Sequence, residues 1–166
     1  MFLFYLCRVD KNLKMYQTLT FLHSIFRWLV LLSLVYSIFI AYKGYFSNKE
    51  FTKTDDFVRH STATIAHIQL VLGITLYSQS PIIKYFWNNF NEAKESFDLL
   101  FFGLIHIFLM LFSIILITIG SSISKRKMID KEKFKTILIY FIIALVVIFI
   151  AIPWPFSPFA NRPYFR

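Results

Sequence analysis

The chain holds a single cysteine, Cys7, among 166 residues. No intrachain disulfide can form, and no CxxC or CxxCH motif exists. That excludes covalent c-type haem and cysteine-based zinc or iron–sulfur centres within one chain. Glycine is scarce at four residues and proline at five, with Pro153, Pro155, Pro158 and Pro163 gathered near the C-terminus. Neither a Gly-rich phosphate loop nor a G-x-S-x-G elbow is present. Charge is scarce as well, at 16% of residues where soluble domains carry about a quarter. The nine acidic residues all fall outside the long apolar runs. Carboxylate proton relays, paired-carboxylate glycosidases and di-metal carboxylate sites are thereby excluded, and so is a triad that needs a buried acid.

What the sequence has instead is apolar surface. Hydrophobic residues make up 57% and aromatic residues 20%, and the mean hydropathy is +0.60. A soluble chain of this length buries only about 70% of its surface, so this composition points to an integral membrane protein. Four apolar runs stand out, at about 19–42, 61–79, 99–119 and 137–154. Each is near the roughly 20 residues needed to cross a hydrocarbon core. Without water to satisfy the backbone, each must be a helix. The expected fold is all-α: one transmembrane domain over 1–166, an up-down-up-down four-helix bundle. Thr54-Asp55-Asp56 is expected to open the second helix, and Ser80-Pro81 to stop it. Ser96 to Asp98 should open the third helix, and Gly120-Ser121-Ser122 followed by Lys125-Arg126-Lys127 should close it. Pro153 and Pro155 should end the fourth.

Charge sets orientation. The loops after helices 1 and 3 hold Lys43, Lys49, Lys53, Arg59, Lys125, Arg126, Lys127, Lys131, Lys133 and Lys135. The other side holds Arg8, Lys11, Lys14, Arg27, Lys84, Lys94, Arg162 and Arg166. Residues 1–14 add nothing periodic, and a start at Met15 would remove three of the latter. The positive-inside rule then places both termini in the periplasm of a bacterial inner membrane. Trp28, Trp87 and Trp154, with Tyr85 and Tyr164, suit the outer interface. The net charge of +9 therefore reads as topology and anionic-lipid contact, not nucleic-acid binding.

Ionisable residues inside a span default to function. Four qualify: His23, Arg27, His67 and His106. His23 and His106 lie 20 and 19 residues before Lys43 and Lys125. At 1.5 Å per residue, both sit roughly 29 Å from the first cytoplasmic lysine of their helix. Helices 1 and 3 run in the same direction and are diagonal in such a bundle. Two imidazoles at one level on facing helices is the arrangement that a six-coordinate haem iron requires. Thr20, His23, Arg27, Val30, Leu34, Ser37 and Ala41 form one stripe on helix 1. Gly103, His106, Met110, Ser113, Ile117 and Gly120 form another on helix 3. Both should face the bundle. Arg27 reaches back toward His23, as helical side chains lean, and suits a haem propionate. Gly103 leaves room for a flat macrocycle. His67 lies roughly 17 Å from the other two histidines, so its role must differ. A plainer reading stays open, in which the histidines are interhelical hydrogen-bond donors and Arg27 snorkels to the headgroups. His60, outside the span, reads as a solvated or headgroup-facing residue.

Four segments carry a family resemblance: His23-Ser24-Ile25-Phe26-Arg27-Trp28, Ala66-His67-Ile68-Gln69-Leu70-Val71-Leu72-Gly73, His106 with Met110, and Ile152-Pro153-Trp154-Pro155-Phe156 followed by Arg162-Pro163. Over roughly 15–166 the chain resembles the small four-span Bacteroidetes membrane proteins commonly labelled "cytochrome B". The resemblance implies an inner-membrane protein that binds haem b and transfers electrons, an electron carrier or redox-complex subunit more than a standalone enzyme. His23 and His106 are the expected axial ligands, with Arg27 and His67 beside the cofactor. A quinone or a redox membrane complex is the expected partner. A cofactor-free accessory or assembly subunit of a larger membrane complex is the alternative.

Overall fold

The computed structural model describes the backbone of residues 2–155 and the side chains of residues 14–155. The side chains of Cys7, Arg8 and Lys11, and the tail residues Phe156, Arg162, Pro163, Tyr164 and Arg166, lie outside the described residues. All described elements are helical: α1 (Phe2–Phe46), α2 (Lys53–Gln79), α3 (Pro81–Asn88), α4 (Phe90–Ala93), α5 (Phe97–Leu100), a π-turn (Phe101–Ile105), α6 (His106–Arg126) and α7 (Asp130–Ala151).

Three helical stretches are long and apolar enough to cross a membrane: Lys14–Phe46, Phe97–Arg126 and Asp130–Ala151. α2, which covers the expected second span, is not among them. Its 27 residues suffice in length, but it is too polar. α1 packs against α2 and α7, and α6 packs against the same two helices, whereas α1 and α6 share no extended contact. Each packed pair is antiparallel. Thr62 meets Ser33 while Gln69 meets His23. Ser124 meets Lys133 while His106 meets Ala151.

Sequence explains most of the helix ends and corrects some expectations. α2 opens at Thr52, two residues before the expected Thr54. The Thr52 side chain accepts from the Asp55 N–H, and the Asp55 carboxylate accepts from the Thr52 N–H, which makes a capping box. Burial alone would raise the Asp55 pKa. The Thr52 hydroxyl and N–H and the Lys49 ammonium hold it below the usual carboxylate value. Ser80, in an extended conformation, ends α2 and caps α3 through the Ile83 N–H, with Pro81 in the first turn. The third long helix runs past Gly120 and closes at Arg126, within the expected segment, with Lys127 as its C-cap. α7 stops at Ala151 because Ile152, which precedes Pro153, takes extended backbone.

The two expected stripes face inward. Leu34, Ser37, Ala41, Ser113 and Ile117 are all buried. None of the four glycines has positive φ. Each instead lies against a ring: Gly44 under Phe134, Gly73 beside His23, Gly103 under Phe86 and Gly120 under Tyr140.

Candidate functional site

One cavity of about 240 Å³ opens between α1, α2 and α6 and is closed from above by α3 and the end of α7. An apolar cavity of roughly 150 Å³ accepts a benzene ring, so there is room for a small ring. His23, Arg27, Gln69, Tyr77, His106 and Met110 line it, among apolar walls that include Leu70, Ile74, Phe102 and Ile148. No carboxylate is part of the lining. His23, Arg27 and His106, singled out from sequence, thus meet in one place. His67 does not join them. It is exposed on α2, and its Nε2 lies 2.9 Å from the Thr118 hydroxyl on α6.

Local structure aims His106. The backbone widens to a π-turn over Phe101–Ile105, and the His106 N–H reaches back to the Phe101 carbonyl. Such turns insert a residue into a helix and often mark functional positions. The ring is then fixed from α7. A helix to Ala151 leaves its last carbonyls without intrahelical donors, and Pro153 and Pro155 have no N–H to offer. The carbonyls of Phe149 and Ala151, four residues before these prolines, are satisfied by side chains. Trp154 Nε1–H donates to Phe149 at 2.9 Å, and His106 Nδ1–H donates to Ala151 at 2.8 Å. A carbonyl only accepts, so Nδ1 carries the proton and Nε2 keeps the lone pair. Trp154 also packs edge-on against Trp28, with centroids 5.8 Å apart.

His23 sits across from α2. The Gln69 amide nitrogen lies 3.1 Å from the His23 carbonyl and 3.3 Å from His23 Nε2. His23 Nδ1 and Gln69 Oε1 are buried with no hydrogen-bond partner. Gly73 lies beside this ring, where a Cβ would stand in ordinary contact, 3.4 Å from His23 Cε1. Above, Tyr77 donates to the Gly103 carbonyl at 2.8 Å and accepts from Trp87 Nε1–H at 2.9 Å. The face of Gly103 expected to admit a macrocycle is filled by Phe86 of α3, which a Cβ would meet at 2.6 Å. That face of Gly103 has no room for a flat group.

Among the described residues, no cluster of three or more His, Cys, Asp or Glu exists that would hold a bare metal ion. The donor set does suit a haem iron, which brings four nitrogens of its own. His106 presents a lone pair from a ring already oriented by a carbonyl. His23 Nε2 faces the Gln69 amide nitrogen and so accepts, which leaves the ring proton on the buried, unpartnered Nδ1. The walls are apolar, and Arg27 provides a cation.

Sequence reading missed Arg59 and left the partner of Gln69 open. Gln69 reads from sequence as a hydrogen-bonding residue toward a neighbouring helix, and it does bond to α1, but its contact with His23 needs the α1–α2 register. Arg59, counted above among the loop charges, is 3% exposed. Its guanidinium binds Asp56 at 2.7 Å and donates to the Ser121 carbonyl at 3.0 Å, and also to the Ser121 hydroxyl. No protein-family model, curated protein or solved structure matches this chain.

Proposed function

We propose that the chain is a four-span protein of the bacterial inner membrane that carries electrons through a b-type haem held between α1 and α6. The observation that carries this reading is the single cavity that joins His23 and His106 from two diagonal helices, with the His106 ring fixed through Nδ1 and its Nε2 free to ligate. His106 is the iron ligand, His23 the second imidazole, and Arg27 the partner of a propionate. When bound, the haem supplies a one-electron couple. Burial, ligand identity and nearby charge tune the potential of such a couple. The Ala151 carbonyl keeps His106 in one tautomer and raises its basicity. The apolar walls exclude water. The Arg27 charge favours the anionic groups of the cofactor. The resemblance to the "cytochrome B" proteins points the same way, with a quinone or a redox complex as electron partner.

Four spans, not three, are favoured by the partners of α2. Four of its polar side chains turn inward, with Arg59 on Ser121, Thr62 on the Ser33 carbonyl, Gln69 on His23 and Tyr77 on Gly103. Its exposed side carries Phe57, Ile68, Val71 and Ile74 alongside His60, Thr64 and His67.

The protein purified from haem-replete cells should show a Soret band and, when reduced, an α band. Both should disappear in His106→Ala while the protein still elutes as a folded species. A colourless, folded wild-type protein would sink this reading in favour of an accessory subunit.

A further inference from the structure

The outer face of α2 differs from the outer faces of the other long helices. Over residues 21–42, 106–119 and 137–151 the exposed side chains are hydrophobic, with Thr118 the one exception. On α2 an exposed stripe runs through Phe57, His60, Thr64, His67, Val71 and Ile74. Its steps of three and four residues are those of the seam of a two-stranded coiled coil. The middle of the stripe is polar, with His60 toward the cytoplasmic end. Hydrocarbon offers no hydrogen bonds, so polar groups left against lipid cost free energy.

The chemistry of the stripe is complementary to itself. The Thr118 hydroxyl donates to the Ile114 carbonyl at 2.7 Å. A hydroxyl has one proton, so toward His67 it accepts, and His67 Nε2–H donates to it at 2.9 Å. In the neutral ring Nδ1 is then an acceptor, and no donor among the described residues reaches it. One turn toward the cytoplasmic end, the Thr64 hydroxyl donates to the His60 carbonyl of its own helix at 3.0 Å. That carbonyl already takes a helix N–H, so the hydroxyl can turn away at little loss. Each copy of the chain thus carries an unmet acceptor and a movable donor side by side.

We propose that a second copy of the chain docks on this stripe, making a two-fold dimer with a parallel α2–α2 seam. Copies inserted in one membrane share an orientation, so a two-fold axis along the membrane normal sets the two α2 helices parallel and in register. Helical side chains lean toward the N-terminus, which brings His67 to the level of Thr64 on the other copy. The Thr64 hydroxyl of each copy donates to His67 Nδ1 of the other, and symmetry makes the bond twice. Val71 and Ile74 close the outer half of the seam. The inference rests on α2 crossing the membrane and is independent of haem.

Disulfide trapping of the full chain in native membranes tests it, in a Cys7→Ser background. Thr64→Cys and Val71→Cys should form homodimers on oxidation. Leu32→Cys, Phe108→Cys and Val146→Cys, on the exposed faces of the other helices, should not. In detergent, Thr64→Val and His67→Leu should each weaken dimerisation roughly eightfold, as two interhelical hydrogen bonds of average membrane strength are lost. Undiminished dimerisation in both variants overturns the Thr64–His67 pairing. No trapping on α2, trapping strongest on another face, or trapping of α2 to a different protein overturns the dimer. A membrane-impermeant maleimide tells this apart from failure of the four-span reading. Thr64→Cys that resists it keeps α2 in the bilayer and leaves the dimer to the trapping result, whereas ready labelling places α2 in water and removes both.

Discussion

Glycine works in this protein through its missing side chain, not through its backbone freedom. All four glycines have ordinary helical φ, and each admits an aromatic or imidazole ring. The positions differ in how tightly the ring sits. A methyl group at Gly103 would stand 2.6 Å from Phe86, well inside contact distance, whereas one at Gly73 would stand 3.4 Å from His23. Gly103→Ala should therefore displace Phe86, itself fully buried, and lift α3 from the cavity roof. The expected loss is about 1–3 kcal/mol, typical of overpacking. Gly73→Ala should stay within about 0.5 kcal/mol of wild type. Thermal unfolding of the two variants in one detergent checks the contrast, and equal melting temperatures would contradict it. The C-terminal prolines follow a similar economy. By withholding two N–H groups they reserve two carbonyls, and a tryptophan and a histidine occupy them.

At the scale of elements, α2 differs from the other long helices. Four of its polar residues are cross-links, and Arg59 is the best satisfied of them, with three guanidinium nitrogens engaged on Asp56 and Ser121. Arg59→Ala removes the bonds of the guanidinium to Ser121 and to half-exposed Asp56. It should cost about 2 kcal/mol, in line with hydrogen bonds to charged groups, and Arg59→Lys should recover only part, because one ammonium cannot span both partners. Melting curves of the three proteins test this ordering. The same helix shows how far sequence reading reaches. The runs that became α1, α6 and α7 were legible because apolar length alone decides a spanning helix, and the Ser80-Pro81 break was legible because it is local chemistry. The meeting of His23 with His106 was legible too, since rise per residue fixes depth on parallel helices. Which nitrogen each ring offers was not. That depends on Gln69 and Ala151, 46 and 45 residues away, and pairings at that distance leave no periodicity to read. The short helices α3 and α4 were missed for a related reason. Pro81 marked a stop, but it is also a favoured first residue of a helix, and Ile83 and Phe86 find their core only once Gly103 lies beneath them.

For the whole molecule, the number of spans has a parity that experiment can read directly. An even number returns the chain to the side where it began, and an odd number does not. With α2 across the membrane, reporters fused at the two ends should both be active in the periplasm. Three spans would put them on opposite sides. Ten basic residues on the α1–α2 and α6–α7 side agree with the first outcome under the positive-inside rule. Removing that excess, with Lys125, Arg126, Lys127 and Lys131 all changed to Gln, should produce a fraction of inverted molecules detectable with the same fusions.

The inward-facing polar side chains of α2 also constrain the order in which the molecule is made. A helix with an arginine, a threonine, a glutamine and a tyrosine on its packing face gains little by entering lipid alone. Its partners lie on α1, which is synthesised first, and on α6, which is synthesised later. On the four-span reading, α2 enters the bilayer as the second limb of a hairpin with α1, held first by Ser33 and His23. Arg59 and Tyr77 wait for Ser121 and Gly103 to emerge. The segment over residues 81–100 then acts as a delay line in biogenesis, covering the interval before α6 arrives to complete the pairing.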